Sequence, residues 1–227
     1  MSASPAIDLQ APRVFLTDEF FADAVGELMQ RDSDLAAVVA KYGRPQLWVR
    51  DPGFPSLLYI ILEQQVSLAS ARAAYQRLLA ATKQQLTPAR FLRLSDAELK
   101  VIGFSRQKTL YTRLLAEALD RGHFDLRHLR DLHDDSARKM LIALKGIGNW
   151  TADIYLLSAL RRPDIWPVGD LALATAVQEV KRLRIRPSPE KLEKMSMPWR
   201  PYRAVAARLF WHAYLSKRGQ NTATISL

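Results

Sequence analysis

The chain has 227 residues, 48% of them hydrophobic and none of them cysteine, with 33 Lys and Arg against 23 Asp and Glu for a formal charge of +10. That length and composition describe a folded chain with one sizeable core or two small helical lobes, and they exclude disulfides, zinc–thiolate sites and iron–sulfur clusters. A positive balance spread along most of the chain suits a polyanion, because each neutralised phosphate releases condensed counterions, though the same charge also fits a merely basic soluble protein.

No apolar run reaches the roughly 18 residues that span a bilayer, so no membrane partner is expected. The start, MSASPAIDLQAPRVF, lacks a basic segment followed by an apolar one, so no secretory signal is expected and the cysteine-free chain suits a reducing cytoplasm.

In chain order, almost every segment reads as helix. Glycine is scarce, with nine residues, and Ala, Leu and Arg favour helix. Residues 18–29 carry Phe20, Phe21, Val25 and Leu28 at helical spacing. Residues 34–42 form a short helix capped by Ser33 or Asp34, and 55–62 begins with a proline at a first helical position. The helix 67–81 has the apolar face Leu68, Ala71, Tyr75, Leu78 and Leu79. Thr87-Pro88 opens a short helix to Leu92, and Ser95-Asp96-Ala97-Glu98 has the capping-box spacing. Then come 105–119, ended by Arg121-Gly122, followed by 135–144 and 149–160, with a break at Arg162-Pro163-Asp164. The last two long helices are 170–181 and 201–217, and Pro187, Pro189 and Pro198 punctuate the stretch between them. No strand pair and no repeat stands out, so about ten helices predict an all-α fold.

The most informative stretch is Leu141-Ile142-Ala143-Leu144-Lys145-Gly146-Ile147-Gly148-Asn149-Trp150-Thr151-Ala152-Asp153, a helix, a Gly-x-Gly turn and a second helix. Two glycines allow positive φ and a close backbone approach to another surface. The free amides opening the second helix favour an anion, and such a grip holds a phosphate without reading a base. Alone, the motif is equally an ordinary αα-hairpin.

Three further motifs stand in order around it. Ile61-Leu62-Glu63-Gln64-Gln65-Val66-Ser67 precedes the hairpin; Trp166-Pro167-Val168-Gly169-Asp170-Leu171-Ala172-Leu173 follows it; Pro198-Trp199-Arg200-Pro201-Tyr202-Arg203 leads into an apolar helix ending Phe210-Trp211. With these motifs the chain resembles the helix-hairpin-helix (HhH-GPD) DNA glycosylase superfamily, and within it the 3-methyladenine DNA glycosylase II family.

That resemblance implies a base excision repair enzyme that hydrolyses the N-glycosidic bond of flipped-out alkylated bases, such as 3-methyladenine and 7-methylguanine, in double-stranded DNA. It implies two helical lobes: 53–163 carrying the hairpin at 144–150, and 1–52 plus 164–227 carrying the catalytic aspartate, with DNA in the cleft between them. It further implies a short form without an N-terminal β-rich domain, working as a monomer at the bacterial nucleoid. The alternatives are a non-catalytic DNA-binding module with the same hairpin, and a glycosylase for oxidised or mismatched bases.

Residue roles follow the same resemblance. Asp170 becomes the catalytic carboxylate under the sugar, where a fixed anion stabilises an oxocarbenium-like transition state. Its plain alternative is a helix N-cap, and one residue can do both. Trp199 and Trp150 become walls of the base pocket, where an indole face compensates lost stacking and attracts a cationic base; their alternative is core packing. Ile154 stands where relatives carry an aromatic pocket residue.

Gly146, Ile147, Gly148, Asn149 and Thr151 become the DNA grip, joined by Gln64 and Gln65. Gln65 either fills the gap left by the flipped base or is an ordinary turn residue. Glu63 is unexpected beside DNA. Tryptophan at 150, where strand-cutting relatives have a Schiff-base lysine, implies a monofunctional hydrolase; Lys145 is solvated or faces a phosphate. No cofactor is required, but main-chain carbonyls of Ile142, Leu144 and Ile147 align with a monovalent cation site for sodium or potassium.

Overall fold

The computed structural model describes residues 14–220; the reading of the first residues as free of a secretory signal falls largely outside them. Among the described residues there are twelve α-helices and two short 3-10 segments, with no strand, so the all-α expectation holds.

The helices are α1 (Asp18–Arg31), α2 (Ser33–Tyr42), α3 (Phe54–Glu63), α4 (Leu68–Ala81), α5 (Pro88–Leu92), α6 (Asp96–Ile102), α7 (Arg106–Asp120), α8 (Asp134–Ile142), α9 (Asn149–Ser158), α10 (Leu171–Val180), α11 (Pro189–Ser196) and α12 (Arg203–Lys217). The 3-10 segments are Leu126–Asp131 and Met197–Trp199.

Polar caps set most of the starts. Side chains of Thr17, Ser67, Thr87, Ser105 and Ser188 each accept an amide of the first turn, and Ser95 with Glu98 forms a reciprocal capping box. The cap of α2 is neither Ser33 nor Asp34. It is Asp32, whose carboxylate accepts from the amides of Asp34 and Leu35. The sequence reading also passed over α11, where Ser188 caps and Pro189 sits in the first turn, so the proline begins a helix rather than breaking one.

Helix packing sorts into two sets. In one, α12 packs against α1, α2 and α10. Its residues Val205, Ala206, Ala207, Leu209 and Phe210 are fully buried, so it is the axis of that set. In the other, α3 packs against α4, α7 and α9, while α8 packs on α9 and α5 on α7. Leu57, Leu58, Ile60 and Ile61 make α3 the buried axis there. The Tyr155 hydroxyl of α9 accepts from the Gly53 amide at 3.0 Å and fixes the entry to α3. The stretch at the end of α9 is bonded to the segments flanking α1 and α2: the Leu16 amide donates to the Arg161 carbonyl at 2.8 Å and the Arg50 amide to the Ser158 carbonyl at 3.0 Å.

Candidate active site

The hairpin joins α8 to α9 through residues 143–148. Its two glycines differ in role. Gly146 has φ +93°, and a Cβ there would run into the Tyr111 ring of α7, so its close approach is inward to the protein. Gly148 caps α9 with φ −93° and ψ 179°, no side chain bonds the first-turn amides, and a Cβ there would meet nothing within 4 Å. The backbone amides at the start of α9 are therefore open to a phosphate.

The sequence-predicted grip residues split accordingly. Gly148 and Asn149 are exposed, whereas Ile147 and Thr151 are buried at 4% and 2% and anchor the turn. Lys145 is exposed on the turn. Behind the hairpin, Arg138 of α8 donates to buried Asp153 of α9 at 2.6 Å. Burial pushes the Asp153 carboxyl up, and Arg138 opposes that shift.

Asp170 stands at the start of α10 and caps it: Oδ1 accepts the Leu173 amide at 2.6 Å. It is held from two further sides. The Trp150 indole N–H donates to Oδ2 at 2.7 Å, and the Trp211 indole N–H donates to Oδ1 at 3.2 Å. Half-buried, the carboxyl group thus joins the hairpin helix α9 to α10 and α12. Trp211 is itself backed by Trp48, with ring centroids 5.6 Å apart and planes 26° apart, and the Arg208 guanidinium lies 4.0 Å from the centre of the Trp48 ring. Ile154, one turn beyond Trp150 on α9, is buried in the core at 9% exposure.

The structure brings Asp170 and Trp150 together as expected and places Trp199 elsewhere. Trp199 is only 3% exposed. Its N–H donates to Asp32 Oδ2 at 2.8 Å, and its ring packs on Trp166 and Phe210. The second indole at the carboxylate is Trp211, which the sequence reading placed at the end of a matching helix without giving it a role. A usable signal was its spacing on α12, one position beyond the core residue Phe210.

At the other end of α3, Gln64 and Gln65 form a turn close to the hairpin. The Gln64 amide nitrogen donates to the Gly146 carbonyl at 3.1 Å and to Thr151 Oγ1 at 2.9 Å. Gln65 is exposed with φ +57°. Glu63 turns inward and makes a two-bond pair with Arg50 at 2.7 and 3.0 Å. Among the described residues no group of three or more His, Asp or Glu could hold a metal ion, and no helix is long and apolar enough to cross a membrane.

A glycine turn between two helices thus presents open amides beside a carboxylate held by three N–H donors. The model of the HhH-GPD superfamily of base excision DNA repair proteins matches residues 58–201, and the chain belongs to that family. The chain is 26% identical over 169 residues to the DNA-3-methyladenine glycosylase of Bacillus subtilis, covering 70% of this chain and 56% of the relative. The crystal structure of a DNA-3-methyladenine glycosidase from Bacillus halodurans superposes with TM-score 0.72 at 29% identity, covering 93% of this chain and 97% of that one. Schizosaccharomyces pombe 3-methyladenine DNA glycosylase in complex with abasic DNA superposes with TM-score 0.77 at 24% identity, covering 89% and 99%. The chain spans 56–66% of the length of the first three curated relatives it matches.

Proposed function

We propose that this chain is a monofunctional DNA glycosylase that hydrolyses the N-glycosidic bond of alkylated bases, including 3-methyladenine and 7-methylguanine, flipped out of duplex DNA. The observation that carries the reading is the Asp170 carboxyl group, fixed by three N–H donors from separate helices. Relatives named as 3-methyladenine glycosylases support the choice of substrate.

The two helix sets act as two lobes, with duplex DNA along the groove between them and the protein working as a monomer. The open amides at Gly148 and Asn149 hold one phosphate, and Gln65 fills the gap in the stack. The extruded base lies against Trp150, with Trp211 behind the carboxylate. As the bond between C1′ and the base breaks, its electron pair leaves with the base and positive charge grows on the sugar. Asp170, placed under the sugar, stabilises that charge more than it stabilises the ground state, in which the sugar is uncharged and the positive charge sits on the base. Water then adds to C1′ and its proton passes to bulk solvent. A base already carrying positive charge leaves readily, so no strong general acid is needed.

Position 150 is tryptophan, so no lysine is placed there for a Schiff base, and the strand is left intact. The carbonyls of Ile142, Leu144 and Ile147 would hold sodium or potassium. Leu144 accepts the Ile147 amide at 3.1 Å and keeps a second lone pair for such an ion.

The test is a duplex with a single 3-methyladenine or 7-methylguanine, scored for free base and abasic sites with wild type and Asp170→Asn. Asparagine keeps a capping oxygen for the Leu173 amide but turns its NH2 toward the Trp150 N–H, so the fold is checked by thermal melting while release should fall by about 10²–10³-fold. Equal release overturns the role of Asp170. Strand scission without added alkali overturns the monofunctional assignment. Binding without any base release, or release of oxidised or mismatched bases alone, selects one of the two rival readings.

A further inference from the structure

We infer that Gln64 is a positioning residue: its side-chain amide straps the turn after α3 to the hairpin and thereby sets the height and direction of Gln65. The inference rests on the proposal that Gln65 enters the gap left by an extruded nucleotide.

The geometry of the turn is the starting point. Gln64 has φ −57° and ψ 121°, and Gln65 follows with φ +57°. This is the pattern of a type II β-turn, whose third residue prefers glycine because φ is positive. A glutamine there is strained, and a strained backbone persists only when its surroundings over-determine it.

The surroundings do so. Both hydrogens of the Gln64 amide are used, one on the Gly146 carbonyl at 3.1 Å and one on Thr151 Oγ1 at 2.9 Å. Gly146 is in turn pinned against the Tyr111 ring of α7. The same helix supplies Lys108, whose ammonium donates to the Leu62 carbonyl at 2.6 Å near the end of α3. The turn and the hairpin therefore share one support, and the phosphate grip is held in register with the inserted side chain. With its donors spent inside the protein, the Gln64 amide has none left for DNA. The exposed members of the turn are Gln65, Val66 and Ser67.

The experiment compares Gln64→Met, Thr151→Val and the double variant with wild type and Gln65→Ala. Amide hydrogen exchange of residues 64–67 is read on the free protein. Extrusion is read from 2-aminopurine fluorescence beside a lesion, and affinity is measured for undamaged duplex. Loss of two neutral hydrogen bonds should speed exchange at 64–67 by about tenfold and lower the extrusion equilibrium by about tenfold. Affinity of Gln64→Met for undamaged duplex should fall by much less than extrusion does, because the Gln64 amide donates to the protein and not to DNA. Thr151→Val should shift both in the same direction by less, and the double variant should be no worse than Gln64→Met.

Unchanged exchange and extrusion in Gln64→Met would overturn the strap. So would an equal loss of affinity for undamaged duplex, which would make Gln64 a direct DNA contact. A wild type that binds but never extrudes a base would sink the glycosylase reading, while the exchange measurement would still decide the strap.

Discussion

The carboxyl group of Asp170 is gripped by the Leu173 amide and the indoles of Trp150 and Trp211, so its orientation is set by α10, α9 and α12 together. Replacing Trp211 with phenylalanine keeps an aromatic wall against Trp48 and removes the donor to Oδ1. In the proposed reaction small misplacements of the Asp170 carboxyl group are costly, and single-turnover base release should fall by about tenfold. Affinity for undamaged duplex should not change; full wild-type release would show that Trp150 and Leu173 suffice. Asp170 and Trp150 were legible in the sequence because both sit within motifs of fixed spacing around a turn. That Trp211 supplies the second indole N–H to Asp170 was not. Trp199 and Trp211 both lie in apolar surroundings near the C-terminal helix, and only their packing turns one indole to Asp32 and the other to Asp170.

Elements were easier to read than contacts, because caps and apolar spacing are local. The exception, α11, places only Leu192 and Ser196 in the buried class within a charged stretch, too little periodicity to outweigh its prolines. The two hairpin glycines make a sharp test of what each element demands. Gly146→Ala meets both positive φ and the Tyr111 ring, and should cost about 2–4 kcal/mol in chemical denaturation. Gly148→Ala meets neither and should leave stability within about 0.5 kcal/mol. Its added methyl group stands where a phosphate would approach, so duplex affinity should drop by about tenfold, measured by fluorescence anisotropy.

The cap of α2 offers a pH test. Burial works to raise the Asp32 carboxyl, but bonds from Lys181, the Trp199 N–H and the Leu35 amide outweigh it and hold the group below its ordinary value of 3.8. With a depressed folded value, the stabilisation is complete above 3.8 and is lost as pH falls below it. Asp32→Asn keeps a capping oxygen but loses the Lys181 pair, so it should be less stable at neutral pH. Its acid unfolding curve should also be flatter below 3.8. Parallel curves for the two proteins would remove the carboxylate from acid stability.

At the scale of the molecule, the all-helical class was legible, but the joints between the two sets of helices were not. Asp170 reaching Trp150 is one joint; the segment between α2 and α3 is another. Its Arg50 forms a buried pair with Glu63 at the end of α3, with side chains 2% and 5% exposed, and the Arg50 guanidinium lies 4.9 Å from the centre of the Tyr59 ring. From sequence, Glu63 looks like a carboxylate next to DNA, because its partner lies thirteen positions upstream with no periodic relation to it.

The pair makes a further prediction. Glu63→Gln leaves the Arg50 charge buried without its counterion and should cost about 3–5 kcal/mol in chemical denaturation. Replacing both partners, Arg50→Met with Glu63→Leu, removes two desolvated charges at once and should return stability to within about 1 kcal/mol of wild type. Because the carboxylate is buried against Arg50, the double variant should bind undamaged duplex as wild type does across a salt titration. A rise in affinity that fades at high salt would instead place the Glu63 charge at the DNA surface, where it repels phosphate.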